Sequence, residues 1–236
     1  MNTNSVFITG TDILGAALWR IGVRRPVRRT HDIRLVFYHG IGNGDGPCFR
    51  YLEDETPLTV FEHHLDYLQQ YYSIVPLATA VREVRLRTRT DARPICSISF
   101  DDGLRSVFTG AFPALRKRGL PATVFLNTET VGNARLGWIH LANYLLSEHG
   151  ARAVADTLNH VRPFGVSQAP AGEGLFLAWC RANYSEITQA DLLARTAEAL
   201  GVSIAQVAEE QRVYLDWDEI EAMRAEGITF CSHTHS

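Results

Sequence analysis

Ile95-Cys96-Ser97-Ile98-Ser99-Phe100-Asp101-Asp102-Gly103 is the stretch on which the reading of this chain turns. A short apolar run with two isoleucines drives straight into two carboxylates and a glycine. A run of this length closed by turn chemistry reads as a buried strand, and its polar end then marks the carboxyl mouth of that strand. Neighbouring residues of a strand point to opposite faces, so Asp101 and Asp102 can serve one locus only if the pleat breaks. Gly103, free to take dihedrals closed to other residues, is placed to allow that turn.

Working outward, Leu35–Tyr38 (LVFY) is a second apolar run, leaving through His39-Gly40 into a Gly/Asn/Asp loop that lasts to Pro47. Thr59 is the expected N-cap of a helix that carries Phe61, Leu65, Leu68 and Tyr72 on one face. Ile74-Val75 follows as a short strand, and an arginine-rich exposed helix with its loop fills residues 81–94. Beyond Gly103 come a helix containing Pro113, punctuation at Gly119 and Pro121, and the strand Ala122–Leu126 (ATVFL). The β, α, β order predicts parallel strands joined by helical crossovers.

From Trp138 to Arg212 the pattern is helical, with a Pro/Gly-rich break from Pro163 to Gly174, and reads as an inserted helical lobe over residues 138–212. Asp216 with Glu219 spells a capping box for a helix that stops at Gly227. Ile228–Ser232 is then the last strand, running into Cys231-Ser232-His233-Thr234-His235-Ser236.

A hydrophobic content of 46% over 236 residues is ample for a core. A formal charge of −3 offers nucleic acid no attraction, so that partner is not expected. The four cysteines lack CxxC spacing, which argues against a disulfide framework; Cys96 and Cys231, set in apolar runs, are expected in the core. Residues 5–23 are interrupted by Asp12 and Arg20, too polar for a spanning helix, and the arginines follow the apolar run rather than precede it. Neither a secretory leader nor a membrane span is expected, which points to a cytoplasmic or peripheral-membrane protein. Residues 1–30 read as an N-terminal arm, either a helix covering the base of the domain or an amphipathic segment resting on an anionic membrane.

Two polar clusters thus close apolar strands, and in parallel α/β architectures that is the end that carries chemistry. Carboxylates and imidazoles meeting there suit one divalent cation. Hydrolysing an amide at neutral pH needs a hydroxide-like nucleophile and a stabiliser for the tetrahedral oxyanion, and a bound divalent ion supplies both. One carboxylate then ligates the ion while a second, unligated, takes the proton of the water.

ISFDDG, the strand ATVFL some twenty positions on, a Trp-containing helix, a glycine, an apolar strand and SHTHS together resemble the polysaccharide deacetylase (NodB-homology) family, carbohydrate esterase family four. LVFYHGIG and the helix beginning LTVFEHHLDYL match as well, so the resemblance covers roughly residues 33–130 and 214–236. It implies a deacetylase-type (β/α) barrel domain over residues 31–236, truncated after about five strands. It implies a hydrolase of non-peptide carbon–nitrogen bonds that removes N-acetyl groups, less readily O-acetyl groups, from a polysaccharide or its lipid-linked precursor.

Carried over by motif, Asp101 is the general base, while Asp102 and His233 are metal ligands. Zinc is the ion first expected, with cobalt, nickel and manganese fitting the same donors. The second histidine of the family's H-[ST]-x-x-H motif falls one residue past Ser236. The expectation for the 236-residue chain by itself is therefore an inactive, poorly soluble fragment with a weakened metal site.

Other readings stay open at this point. A non-catalytic carbohydrate-binding or scaffold protein would keep the fold without the site, and an amidase acting on cyclic imides would share the fold. Cys231, His233 and His235 share a face of an extended strand and would make a Cys-x-His-x-His cluster, whereas the family spacing sends His235 elsewhere. His39 either lines the cleft or is a hydrogen-bonded structural histidine. His63 and His64 are expected in solvent, and Trp138, His140 and Tyr144 are expected to form a helix packing face rather than sugar-stacking rings.

Overall fold

The computed structural model describes residues 8–9, 33–52, 55–86, 93–183 and 185–235. Apart from Ile8–Thr9, the expected arm over residues 1–30 lies outside them, as do residues 87–92 of the arginine-rich connection. Two compact units are present: Met1–Asn43, Asp54–Val131 and Tyr214–Ser236 form the first, Gly44–Glu53 and Gly132–Val213 the second.

The first unit is a parallel α/β structure. Its strands are β1 (Ile8–Thr9), β2 (Ile33–Tyr38), β3 (Gly40–Ile41), β4 (Glu55–Thr56), β5 (Ser73–Ile74), β6 (Ile95–Phe100), β7 (Thr123–Asn127) and β8 (Thr229–Thr234). The main sheet runs β1-β2-β6-β7-β8, with β5 also pairing β6, and β3 and β4 make a separate parallel pair. β6 is the spine, flanked by β2 along its length and by β5 and then β7 on its other edge. Five of its six residues are buried, as a parallel strand covered on both faces requires.

Helix α1 (Leu58–Tyr71) lays Phe61, Leu65 and Leu68 on the sheet at helical spacing. It starts behind Pro57, not at Thr59: the proline sits at the N-cap with φ −53°, its missing N–H costs nothing there, and Thr59 falls inside the first turn. Helix α2 (Leu77–Leu86) leads towards β6. After β6 a π-type turn, Val107–Ala111, runs into α3 (Phe112–Arg118), which tolerates Pro113 because it lies in the first turn. Ile98, Phe100, Phe61, Leu65, Leu115 and Leu215 are among the most deeply buried residues of this unit's core.

The second unit is helical: α4 (Trp138–Val161, bent at Gly150), α5 (Glu173–Ala182), α6 (Glu186–Ala199) and α7 (Ile204–Gln211) surround Leu145, Leu146, Leu158, Phe176 and Leu193. Gly44–Glu53 joins them. His140 is buried, bonded through Nδ1 to the Cys48 carbonyl at 3.3 Å and set against the Phe49 ring. The Asn143 side chain accepts from Tyr51 N–H, and Ser147 donates to the Pro47 carbonyl. Trp138 and Tyr144 pack at the margin of this core. These aromatic residues form a packing face.

The first unit closes with α8 (Trp217–Ala225), opened by the expected Asp216/Glu219 capping box, and β8. All four thiols are free; Cys48, Cys96 and Cys180 are buried, but Cys231 is exposed, against expectation, because β8 leaves most of its residues open. Among the described residues no helix is long and apolar enough to cross a membrane.

Candidate active site

β6 delivers Asp101 to the end of the sheet, where its N–H still donates to the Tyr38 carbonyl of β2 at 2.8 Å. The pleat then breaks over two residues, not one: Asp102 and Gly103 both take left-handed backbone, with φ 67° and 68°. Aspartate is among the few side chains that visit this region, at a cost of roughly 1–2 kcal/mol. Gly103 is needed for space as well, since a Cβ there would stand 2.8 Å from Leu126 Cδ2.

Beyond the turn the chain is tied down at every residue. The Gly103 carbonyl accepts from Leu215 N–H at 3.0 Å, and Leu104 bridges antiparallel to Tyr214. Arg105 Nε donates to Glu219 Oε1 at 2.7 Å, and Ser106 Oγ accepts from Ile41 N–H at 3.2 Å.

His233 arrives from β8, parallel to β7. Leu126 is opposite Ser232 and Asn127 is opposite Thr234, so the register slips and His233 is the extra residue, without a partner across the ladder. Such a bulge re-aims a side chain out of the alternation its neighbours obey. His235 is held elsewhere: Thr128 Oγ1 and His235 Nδ1 are 2.9 Å apart, and Glu129 N–H donates to the His235 carbonyl. The Cys231, His233, His235 cluster is therefore not formed; the slip removes the shared face and Thr128 engages His235.

The electrostatics centre on Asp101. Partial burial raises its carboxyl above the ordinary value, His233 and His39 pull it back down, and the adjacent Asp102 adds to the rise. Thus His39, His233 and Asp102 all lie within Coulombic reach of one half-buried carboxylate. His39 is the residue that sequence reasoning left undecided. Its signal is the register of β2 on β6, Tyr38 beside Phe100, which sets His39 and Asp101 side by side where the two strands end.

Tyr38 lies below this mouth. Its hydroxyl is 3.1 Å from His64 Nδ1, and burial drives the phenol pKa far up. His64 is not in solvent as expected: it is half-buried, and burial, then repulsion from His63, lowers its pKa. The cause is α1, which packs that face against the Tyr38 ring.

Among the described residues no group of three His, Cys, Asp or Glu side chains is disposed to hold a metal ion. The donors at the mouth, a carboxylate and an imidazole, nevertheless suit a divalent cation in kind.

The family model for polysaccharide deacetylase matches residues 88–236, which takes in the Asp101-Asp102-Gly103 turn and His233. The chain belongs to the polysaccharide deacetylase family. "Putative polysaccharide deacetylase YxkH" of Bacillus subtilis (strain 168) is 26% identical over 141 residues, 56% of this chain and 45% of YxkH. Among solved structures, a de-N-acetylase from Aggregatibacter actinomycetemcomitans is 14% identical with a TM-score of 0.42, over 86% of this chain and 55% of that one. IcaB from Ammonifex degensii is 18% identical with a TM-score of 0.38, over 87% and 88%. The chain spans about half the length of YxkH and of the Aggregatibacter protein.

Proposed function

We propose that this polysaccharide deacetylase hydrolyses N-acetyl groups of a glycan with Asp101 as its general base. The observation that supports the reading is the convergence of His39, His233 and Asp102 on the raised, half-buried carboxyl of Asp101. A carboxylate withdrawn from water is a stronger base than a solvated one, as removing a proton from water near neutral pH demands.

Asp102 and His233 are the residues that would hold a divalent ion, zinc first and cobalt, nickel or manganese by the same donor logic. Such an ion supplies Lewis acidity towards the acetyl carbonyl and acidity to water. Asp101 takes the proton of the attacking water, and the C–N bond of the tetrahedral intermediate then breaks with a proton delivered to the departing nitrogen. In this reading His39, beside Asp101 at the end of β2, is the imidazole that delivers it. Products are acetate and a free amine on the sugar. The left-handed turn at Asp102 lets the two aspartates divide these tasks instead of facing apart.

The test uses protein from the full reading frame, N-acetylated glycan oligomers, and parallel readouts of acetate release and bound metal. Asp101→Asn is expected to lose turnover by about 10²–10⁴-fold with metal content kept. Asp102→Ala and His233→Ala are expected to lose the metal. Turnover by Asp101→Asn within about tenfold of wild type, or metal content untouched by both ligand variants, overturns the assignment.

A further inference from the structure

His39 hangs between two fixed points. On its strand side the Tyr38 carbonyl accepts from Asp101 N–H at 2.8 Å, and on its loop side Ile41 N–H donates to Ser106 Oγ at 3.2 Å. The loop after His39 is glycine-rich, with Gly40, Gly42 and Gly44. Such a segment has little stiffness of its own, so an imidazole at its root is held only if something outside the segment holds it.

β3 and β4 pair in parallel, with Gly40 opposite Glu55, and Gly42 N–H donates to the Thr56 carbonyl at 3.0 Å. Gly40 and Gly42 therefore turn bare α-carbons to the same side, that of the Glu55 side chain. A Cβ at Gly40 would stand 2.7 Å from Glu55 Oε1, and one at Gly42 would stand 2.7 Å from Glu55 Oε2. Each carboxylate oxygen covers one glycine, and at Gly40 the Ser106 Oγ stands equally close, 2.7 Å from such a Cβ. Neither glycine has positive φ, so both are there for close approach rather than for conformation. A third, Gly110, lies against the Ile41 carbonyl, where a Cβ would be 2.5 Å away. The loop behind His39 is thus overlaid by the Glu55 carboxylate and hydrogen-bonded, through Ser106, to the segment that follows Asp101.

We propose that Glu55 is a positioning residue: its carboxylate, laid across Gly40 and Gly42, sets the direction in which His39 faces Asp101. The catalytic consequence rests on the deacetylase reading; the structural one does not.

The flexible end of Glu55 is what a methyl group at Gly42 would strike, so Gly42→Ala displaces the same carboxylate that Glu55→Ala deletes. Each variant is expected to lower kcat for acetate release by about 10- to 100-fold, as misplacement of a reacting group does. KM should change by less than about threefold. The double variant should be no worse than the poorer single one, because both remove one interaction. Glu55→Gln, which keeps the shape, should recover most of the rate. In every loss variant the His39 imidazole NMR resonances should move at fixed pH.

Unshifted His39 resonances in Glu55→Ala, or in Gly42→Ala should the former not fold, overturn the proposal. So do losses that multiply in the double variant. Absence of acetate release by wild type would defeat the deacetylase reading alone, and the NMR arm would still decide the role of Glu55.

Discussion

Glu219→Ala removes the support behind the aspartate turn. One carboxylate oxygen accepts from Arg105 Nε at 2.7 Å, and the other accepts from the Asp216 N–H of the capping box at 3.1 Å. The Glu219 side chain is 10% exposed and that of Arg105 is 32%. The pair therefore sits between the surface regime, worth at most about 1 kcal/mol, and the buried regime, where losing one partner costs about 3–5 kcal/mol. The charge-assisted hydrogen bond accounts for about 1.5–3 kcal/mol and the capping contact for about 0.5–1 kcal/mol. A loss of about 2–4 kcal/mol is expected from urea unfolding followed by circular dichroism. Glu219→Gln, which keeps an acceptor for Asp216, should lose about half as much. A double-mutant cycle with Arg105→Ala should show about 1–2 kcal/mol of coupling. A Glu219→Ala loss under about 0.5 kcal/mol, or a cycle without coupling, refutes the reasoning.

Two further outcomes concern the same mouth. His64 is held below its ordinary pKa of 6.5, so its contribution to stability is complete above that pH and is lost as pH falls from there towards the lowered folded value. Wild type should lose more Tm than His64→Gln between about pH 8 and pH 5, and equal slopes would contradict this; the raised Asp101 works in the opposite sense but is common to both proteins. Gly103→Ala forces an alanine to φ 68° and a methyl group onto Leu126, so thermal unfolding should report a loss of about 1–3 kcal/mol, and a loss under about 0.5 kcal/mol would count against a strained turn.

The parallel α/β layout was legible because each element announces itself locally: ICSISF and ATVFL as buried strands, Phe61, Leu65 and Leu68 as a helix face, Asp216 with Glu219 as a cap. The two aspartates are legible as a broken pleat, although the sequence offers only Gly103 as its hinge and Asp102 shares the left-handed backbone. What was not legible depends on neighbours in space. The slip at His233 exists only against β7, and the closeness of His39 to Asp101 exists only because β2 lies beside β6. His64 reads as one of two exposed histidines, and only the folded chain sets Tyr38 across from it. Cys231 has an apolar sequence context, but burial is settled by what lies over a strand rather than by the residues along it. Glu55 carried no signal at all, being one acid in an acidic stretch until its two oxygens are seen over two glycines.

The rung between Gly103 and Leu215 joins two residues of the first unit that the sequence of the helical unit separates along the chain. On a ribosome adding roughly 10 residues per second, Leu215 is made about ten seconds after Gly103. During that interval the nascent Asp102 has its left-handed turn to adopt without the partner that secures it, and Arg105 has no Glu219 to grip. The helical unit, made of Gly44–Glu53 and Gly132–Val213, is complete before Leu215 is added and is free to fold first. The Asp102-Gly103 turn is then among the last parts of the polypeptide to set, and in pulse-labelled hydrogen exchange on stalled chains the Leu215 amide, which donates to the Gly103 carbonyl, should be protected only in chains long enough for the two to meet.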